Sequence, residues 1–162
     1  MKEQRRYSLF EALLAGLLGY ATVAIVVAVI DLALGRPLFF TPAALGRVMV
    51  ADPGPPGSIE VAPVLAYNAM HLLAFLTIGL LVTAVARFVE FHPAFWFVAY
   101  FLVVSAFFAS EMTFTVLDAD EQVLSWWAIL VATAAAAFAM GIFINRRHPR
   151  LWQRIESAKG GR

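Results

Sequence analysis

Charged and apolar residues are segregated along this chain into four long apolar blocks separated by short polar stretches. Ala12 to Ile30 carries no charge and no proline. Val61 to Ala86, Pro93 to Val116 and Val123 to Ile144 are comparably apolar. Within their interiors only His71 and Glu111 could carry charge near neutral pH. At a rise of 1.5 Å per residue, about 20 such residues cross the ~30 Å hydrocarbon layer of a bilayer as a helix. The pattern predicts an all-α protein, a four-helix transmembrane bundle with spans over about 9–33, 61–88, 93–116 and 123–144. With the basic tail 145–162 these form a single membrane domain over 1–162.

Composition identifies the solvent. Hydrophobic residues make up 62% of the 162 and charged residues 14%, against about 45–50% and 25% in soluble domains. A water-soluble fold of this size could not hide that much apolar surface, and the mean hydropathy of +0.80 agrees. The absence of cysteine removes disulfides, thiolate catalysis, Cys-ligated iron–sulfur clusters, c-type haem attachment and Cys-based zinc sites.

The net charge of +1 conceals a strong asymmetry. Lys2, Arg5 and Arg6 precede the first block, Arg87 lies between the second and third, and Arg146, Arg147, Arg150, Arg154, Lys159 and Arg162 follow the fourth. Only Arg36 and Arg47 fall on the opposite side, beside Asp52, Glu60, Asp118, Asp120 and Glu121. Lys and Arg concentrate in cytoplasmic loops, so both termini are expected in the cytoplasm. Trp96 near the inner surface, and Tyr67, Trp126 and Trp127 near the outer one, occupy the headgroup depths that amphipathic rings prefer. The basic start followed by an apolar run also resembles a signal peptide. The run is longer than a signal core and continues into Asp31, Leu32 and Leu34 without a cleavage site, so an anchor is expected.

The stretch from Gly35 to Glu60 is the one long connection. Thr41-Pro42 reads as an N-cap and first helical residue, predicting a short interfacial helix from Pro42 to about Met49, with Leu38, Phe39 and Phe40 dipping into the interface. Asp52-Pro53-Gly54-Pro55-Pro56-Gly57 then forces turns. It reads as a connector or as a lid over the bundle. Arg87 to His92, closed by Pro93, predicts a tight inner turn, and Leu117 to Gln122 an outer one. Small residues four apart, Ala12 and Gly16, Ala15 and Gly19, Ala24 and Ala28, then Ala132 and Ala136, Ala137 and Gly141, allow helix backbones to approach closely. Packing inside the bundle accounts for them, with a homodimer face as the alternative. The tail places Leu151, Trp152 and Ile155 on one face among arginines, a pattern for contact with lipid headgroups through Arg146, Arg147, Arg150 and Arg154. Nucleic acid need not be invoked.

Ionisable groups inside a span are costly and are functional candidates by default. His71 sits eighteen residues before the inner turn and Glu111 seventeen after it, so the two stand level, roughly 26 Å above that turn. Asn68 and Thr115 are likewise level, one helical turn from each. The four make an intramembrane polar cluster, and Asp31, at the outer end of the first span, could complete it. A hydrogen-bonded pair that fixes the hairpin register is the simplest account. A metal or proton site of Asp31, His71 and Glu111 has suitable ligand types, but no second intramembrane histidine and no His-x-x-His or Glu-x-x-His spacing supports it. A b-type haem would need a second histidine, and His92 and His148 lie at the inner surface. No cofactor is expected. Ser105, Ser110 and Ser125 lack any motif supplying a general base, and neither a phosphate-cradling glycine loop nor a His-Glu-x-x-His motif is present.

Tyr67 with His71, His92-Pro93, Glu111, Trp126-Trp127, and Ala139-Met140-Gly141 leading to Arg146-Arg147-His148-Pro149 together resemble a loose group of small four-span bacterial membrane proteins of no known activity. The likeness covers roughly Tyr67 to Pro149. It implies a bacterial inner membrane and no reaction. The sequence therefore predicts a multi-pass membrane component, non-enzymatic and accessory or structural. Its partners would be the lipid bilayer, with other membrane subunits or a second copy of itself. The alternative is a protein that handles metal, haem or protons at His71 and Glu111.

Overall fold

A computed structural model of the chain describes residues 2–55, 57–92 and 123–147. Among them all regular structure is helical: α1 (Lys2–Ala33), α2 (Phe40–Gly46) with a 3-10 turn over Arg47–Met49, α3 (Val61–Phe91) and α4 (Trp126–Arg147). Leu9–Ala33, Val61–Val89 and Trp126–Arg147 are long and apolar enough to cross a membrane. Much of their surface is uncovered, with Ile25, Leu73 and Phe138 among the large apolar side chains that face outward. Those side chains suit lipid, not water. Thr22 and Thr77, which also face outward, return their hydroxyls to the Leu18 and Leu73 carbonyls at 2.7 and 2.9 Å. That leaves neither of these two hydroxyls bare in hydrocarbon. The apolar block expected over 93–116, with Trp96, Glu111 and Thr115, lies outside the described residues, as do Arg150 and Arg154.

α1 packs against both α3 and α4, while α2 rests chiefly on the start of α3, where Gly46 abuts Pro63. The contact of α1 with α3 is antiparallel and nearly backbone to backbone. A Cβ on Gly16 would stand 2.6 Å from the Phe75 carbonyl oxygen and 2.8 Å from Leu76 Cα. One on Gly79 would run into the Ala12 carbonyl oxygen. Three helices meet at Gly19, where a Cβ would lie 2.6 Å from the Phe75 ring and 2.7 Å from Met140 Sδ. Lipid supplies little hydrophobic drive between helices, so steric fit of this kind holds them together. On α4 the buried positions are Ala128, Ala132, Ala136, Met140 and Ile144, one residue per turn of a single stripe. Gly141 has no atom of a neighbouring element near its Cβ position among the described residues.

The helix ends differ from expectation in instructive ways. α1 stops in a Schellman motif at Gly35 (φ 71°), where Gly35 N–H donates to the Leu32 carbonyl at 3.0 Å and Arg36 N–H to the Asp31 carbonyl at 2.8 Å. The turn expected at Arg87–His92 is helical over most of that stretch: α3 runs through Phe91, with His92 (φ −131°, ψ 67°) as its C-cap. Nothing from Arg87 to Phe91 breaks a helix, whereas the residue before a proline is steered out of helical geometry, and His92 precedes Pro93. The last helix starts at Trp126 instead of Val123, with the Ser125 carbonyl accepting from Ala128 and Ile129. Thr41 is not the cap of α2. The helix starts at Phe40, and the Thr41 N–H and hydroxyl both donate to the Asp31 carboxylate, at 3.0 and 2.8 Å.

Candidate functional site

Tyr67, His71 and Phe75 recur at every fourth residue of α3 and so share one face of it. The Tyr67 ring stacks on His71, with centroids 5.2 Å apart and planes 17° apart, and Phe75 closes the other side at 5.0 Å and 60°. Tyr67, expected at the interface, therefore packs within the bundle on His71. From α1, Tyr20 approaches the imidazole at 6.1 Å. Its hydroxyl donates to Asn68 Oδ1 at 2.8 Å, and Asn68 Nδ2 donates to the Val64 carbonyl at 2.7 Å. The antiparallel α1–α3 crossing brings these groups together, because the close approach at Gly16 and Gly19 draws Tyr20 onto the turn that carries Asn68 and His71.

His71 Nε2 is buried and has no hydrogen-bond partner among the described residues. A neutral imidazole has one donor and one acceptor nitrogen, and a buried polar atom left unpaired costs about 1–3 kcal/mol.

Asp31 belongs to a different place. It is 1% exposed, both its oxygens are engaged by Thr41, and it lies eleven residues beyond Tyr20 on α1, roughly 16 Å along the axis. Here its carboxylate takes the Thr41 N–H in the first turn of α2, where negative charge is favoured. Among the described residues no three His, Asp or Glu side chains converge as metal ligands would. His92 is exposed, and its ring stacks on Phe88 at 4.8 Å and 21°. Arg146 and Arg147 are exposed in the last turn of α4, the Arg147 guanidinium 5.6 Å from the Phe143 ring. Cations are favoured there by the helix dipole.

Three participants were not anticipated from sequence. Tyr20 carries the clearest signal, a hydroxyl midway along an apolar span that must find a partner. Arg36 and Arg47, the exceptions to the charge asymmetry, are both occupied by backbone. Arg36 Nη1 donates to the Val123 carbonyl at 2.7 Å while its guanidinium lies 4.8 Å from the Phe40 ring. Arg47 donates to the carbonyls of Pro53, Gly54 and Pro55 at 3.1, 2.7 and 2.9 Å. No protein-family model, no curated protein and no solved structure matches the chain.

Proposed function

We propose that the chain is a four-span, non-enzymatic accessory or structural component of a bacterial inner membrane, with both termini in the cytoplasm and α2 lying at the outer surface. One observation carries the fourth span. α3 starts at the end of the bundle where α1 stops and finishes at the other end, at His92. Yet Val123 is back at the first end, tied by its carbonyl to Arg36 at 2.7 Å. His92 and Val123 thus lie at opposite ends of the bundle, a separation that supports a fourth crossing, for which the thirty intervening residues would suffice as one helix of about 45 Å. With four crossings, the ten cytoplasm-favouring Lys and Arg residues fall on one face, which the positive-inside rule requires. The resemblance to small four-span bacterial proteins supports the inner membrane as the location. The steric fit at Gly16 and Gly79, and polar groups that pair internally, support a scaffold role.

Reporter fusions test the topology. Sites at Gly57 and Asp120 are expected to report outside, and sites after His92 and at both termini to report inside. Termini on opposite faces would refute it. Purification is expected to give a colourless, metal-free protein that accompanies larger membrane subunits.

The orphaned His71 Nε2 favours a second reading, in which Glu111 reaches it from the returning span. As a structural pair, the two would hold register, and His71→Ala would weaken folding in detergent by about 1–2 kcal/mol. Absence of coupling in a double-mutant cycle with Glu111→Ala would remove the contact. Stoichiometric metal on elemental analysis, or a Soret band, would turn the pair into a metal or haem site. Asp31, held by Thr41 and roughly 16 Å along α1 from the level of Tyr20, stands outside such a site.

A further inference from the structure

Between α2 and the chain returning to α3 lies a pocket of about 170 Å³, walled by Phe40, Ala44 and Ile59 and made polar by Arg47, Gly57 and Ser58. Arg47 is held there before any ligand arrives. Nη1 donates to the Pro53 and Pro55 carbonyls and Nη2 to that of Gly54. A guanidinium has five N–H groups, so three bonds leave two, one on Nε and one on Nη2. These are neighbouring donors of the kind that take two oxygens of a phosphate. The Ser58 hydroxyl is committed to the Pro55 carbonyl at 2.8 Å.

Two carboxylates stand at Gly54, whose carbonyl this cation holds. Asp52 Oδ1 accepts from Gly54 N–H at 3.4 Å. Glu60 lies over the same residue, its Cγ and Oε1 2.7 and 3.1 Å from where a Cβ on Gly54 would be. Arg47, Asp52 and Glu60 thus meet at Gly54, with three of the five guanidinium N–H groups given to carbonyls. A wholly anionic ligand would meet both carboxylates unfavourably. A phosphodiester bearing an ammonium group a few bonds away would set its phosphate on Arg47 and its ammonium toward Asp52 and Glu60. Phe39 and Val48, next in the chain to the lining residues Phe40 and Arg47, and Val61, two past Ile59, are 50, 83 and 71% exposed, apolar surface suited to acyl chains and not to water.

We infer that this pocket binds the headgroup of a membrane phospholipid that carries a phosphodiester and a primary ammonium. The inference rests on the helices being membrane-embedded, which places the loop end of the bundle at headgroup depth. The small volume admits a headgroup, with the acyl chains lying along the apolar rim.

Native mass spectrometry of the full chain in detergent, titrated separately with dihexanoyl phosphatidylethanolamine, dihexanoyl phosphatidylglycerol and inorganic phosphate, tests it. The ethanolamine lipid is expected to be retained most strongly and free phosphate not at all. Ala44→Phe fills the pocket while leaving the carbonyl bonds of Arg47 in place, and should abolish retention. Arg47→Lys keeps the charge but loses the paired donors, and should weaken retention about tenfold or more. Retention by Ala44→Phe equal to that of the parent overturns the proposal. So does preference for the glycerol lipid, binding of free phosphate as strong as that of lipid, or no lipid retained by the parent. Circular dichroism and micelle association, measured on every variant, report membrane embedding separately, so the pocket can fail while that reading stands.

Discussion

At the α1–α3 crossing, Gly16 and Gly79 bring backbone against backbone. In the Gly35–Glu60 loop, Asp31, Arg36 and Arg47 hold backbone groups by hydrogen bonds at 2.7 to 3.1 Å. The two regions meet at the top of α1 yet are stabilised by different physics. Inside hydrocarbon, apolar helices gain nothing by hiding from water, and what holds them is van der Waals fit, which tolerates no added atom. At the surface the chain leaves helical geometry and exposes carbonyls and N–H groups that must be satisfied individually. Arg36 and Arg47, only partly buried, can reach them there at incomplete desolvation, while the buried Asp31 is compensated by its two bonds from Thr41. The crossing should therefore respond to volume and the loop to chemistry.

The sharpest way to break that contrast is Gly79→Leu. The new side chain has no room beside the Ala12 carbonyl oxygen and the Gly16 nitrogen, and overpacking of this kind costs about 3 kcal/mol. Unfolding followed in mixed micelles should show a large loss of stability, with separation of α1 from α3. A midpoint within error of the parent would show that the crossing is not close.

Second in size is Asp31→Ala, which leaves the buried Thr41 N–H and hydroxyl unpaired, a cost of about 2 kcal/mol. The loss should be local. Amide exchange is expected to accelerate over residues 40–46 and to stay unchanged at the α1–α3 crossing. Asp31→Asn, which keeps an acceptor oxygen, should do less. Acceleration across all helices alike would mean that the loop and the crossing are not separate units.

Tyr20→Phe measures a polar bond placed among the volume-controlled contacts. It removes the donor to Asn68 Oδ1 and nothing else, and hydrogen bonds between membrane helices average only about 0.6 kcal/mol. A change of that order in unfolding free energy is expected. A much larger one would place Tyr20 in a network that also supports the His71 nitrogen.

The same contrast explains what was readable beforehand. Apolar runs disclosed the helices described here because bilayer thickness fixes a length that a run of residues either meets or does not. The Ala12–Gly16 and Ala15–Gly19 pairs disclosed a packing face of α1. Gly79 did not stand out, since one glycine acquires meaning only from what lies opposite it. A helix after Phe39 was legible from its local signals, but its cap was not. Thr41-Pro42 has the local chemistry of a start, while the group that takes the Thr41 N–H comes from Asp31 on another helix. Arg36 and Arg47 looked like exceptions to a charge rule, and their carbonyl partners at Val123 and Pro53–Pro55 depend on the fold of the loop. His71 was recognisable because a titratable group inside an apolar block is rare. Tyr20, apolar for most of its bulk, was absorbed into its block.

The smallest expected effect falls at Gly141, which pairs with Ala137 in the same four-residue spacing as Ala12 and Gly16. If spacing alone made a packing face, Gly141→Ala would be as damaging as an added side chain at Gly16. Among the described residues, however, no atom of another element stands within 4 Å of its Cβ position. The substitution should then act on the helix alone, and replacing glycine by alanine inside a helix stabilises it by about 0.5 kcal/mol. A slightly raised unfolding midpoint in micelles is the expected result. A loss of stability would show that this face of α4 is covered. Comparing dilute with concentrated protein would tell what covers it, because a loss that grows on dilution indicates a second copy of the chain, and one that does not indicates residues 93–122.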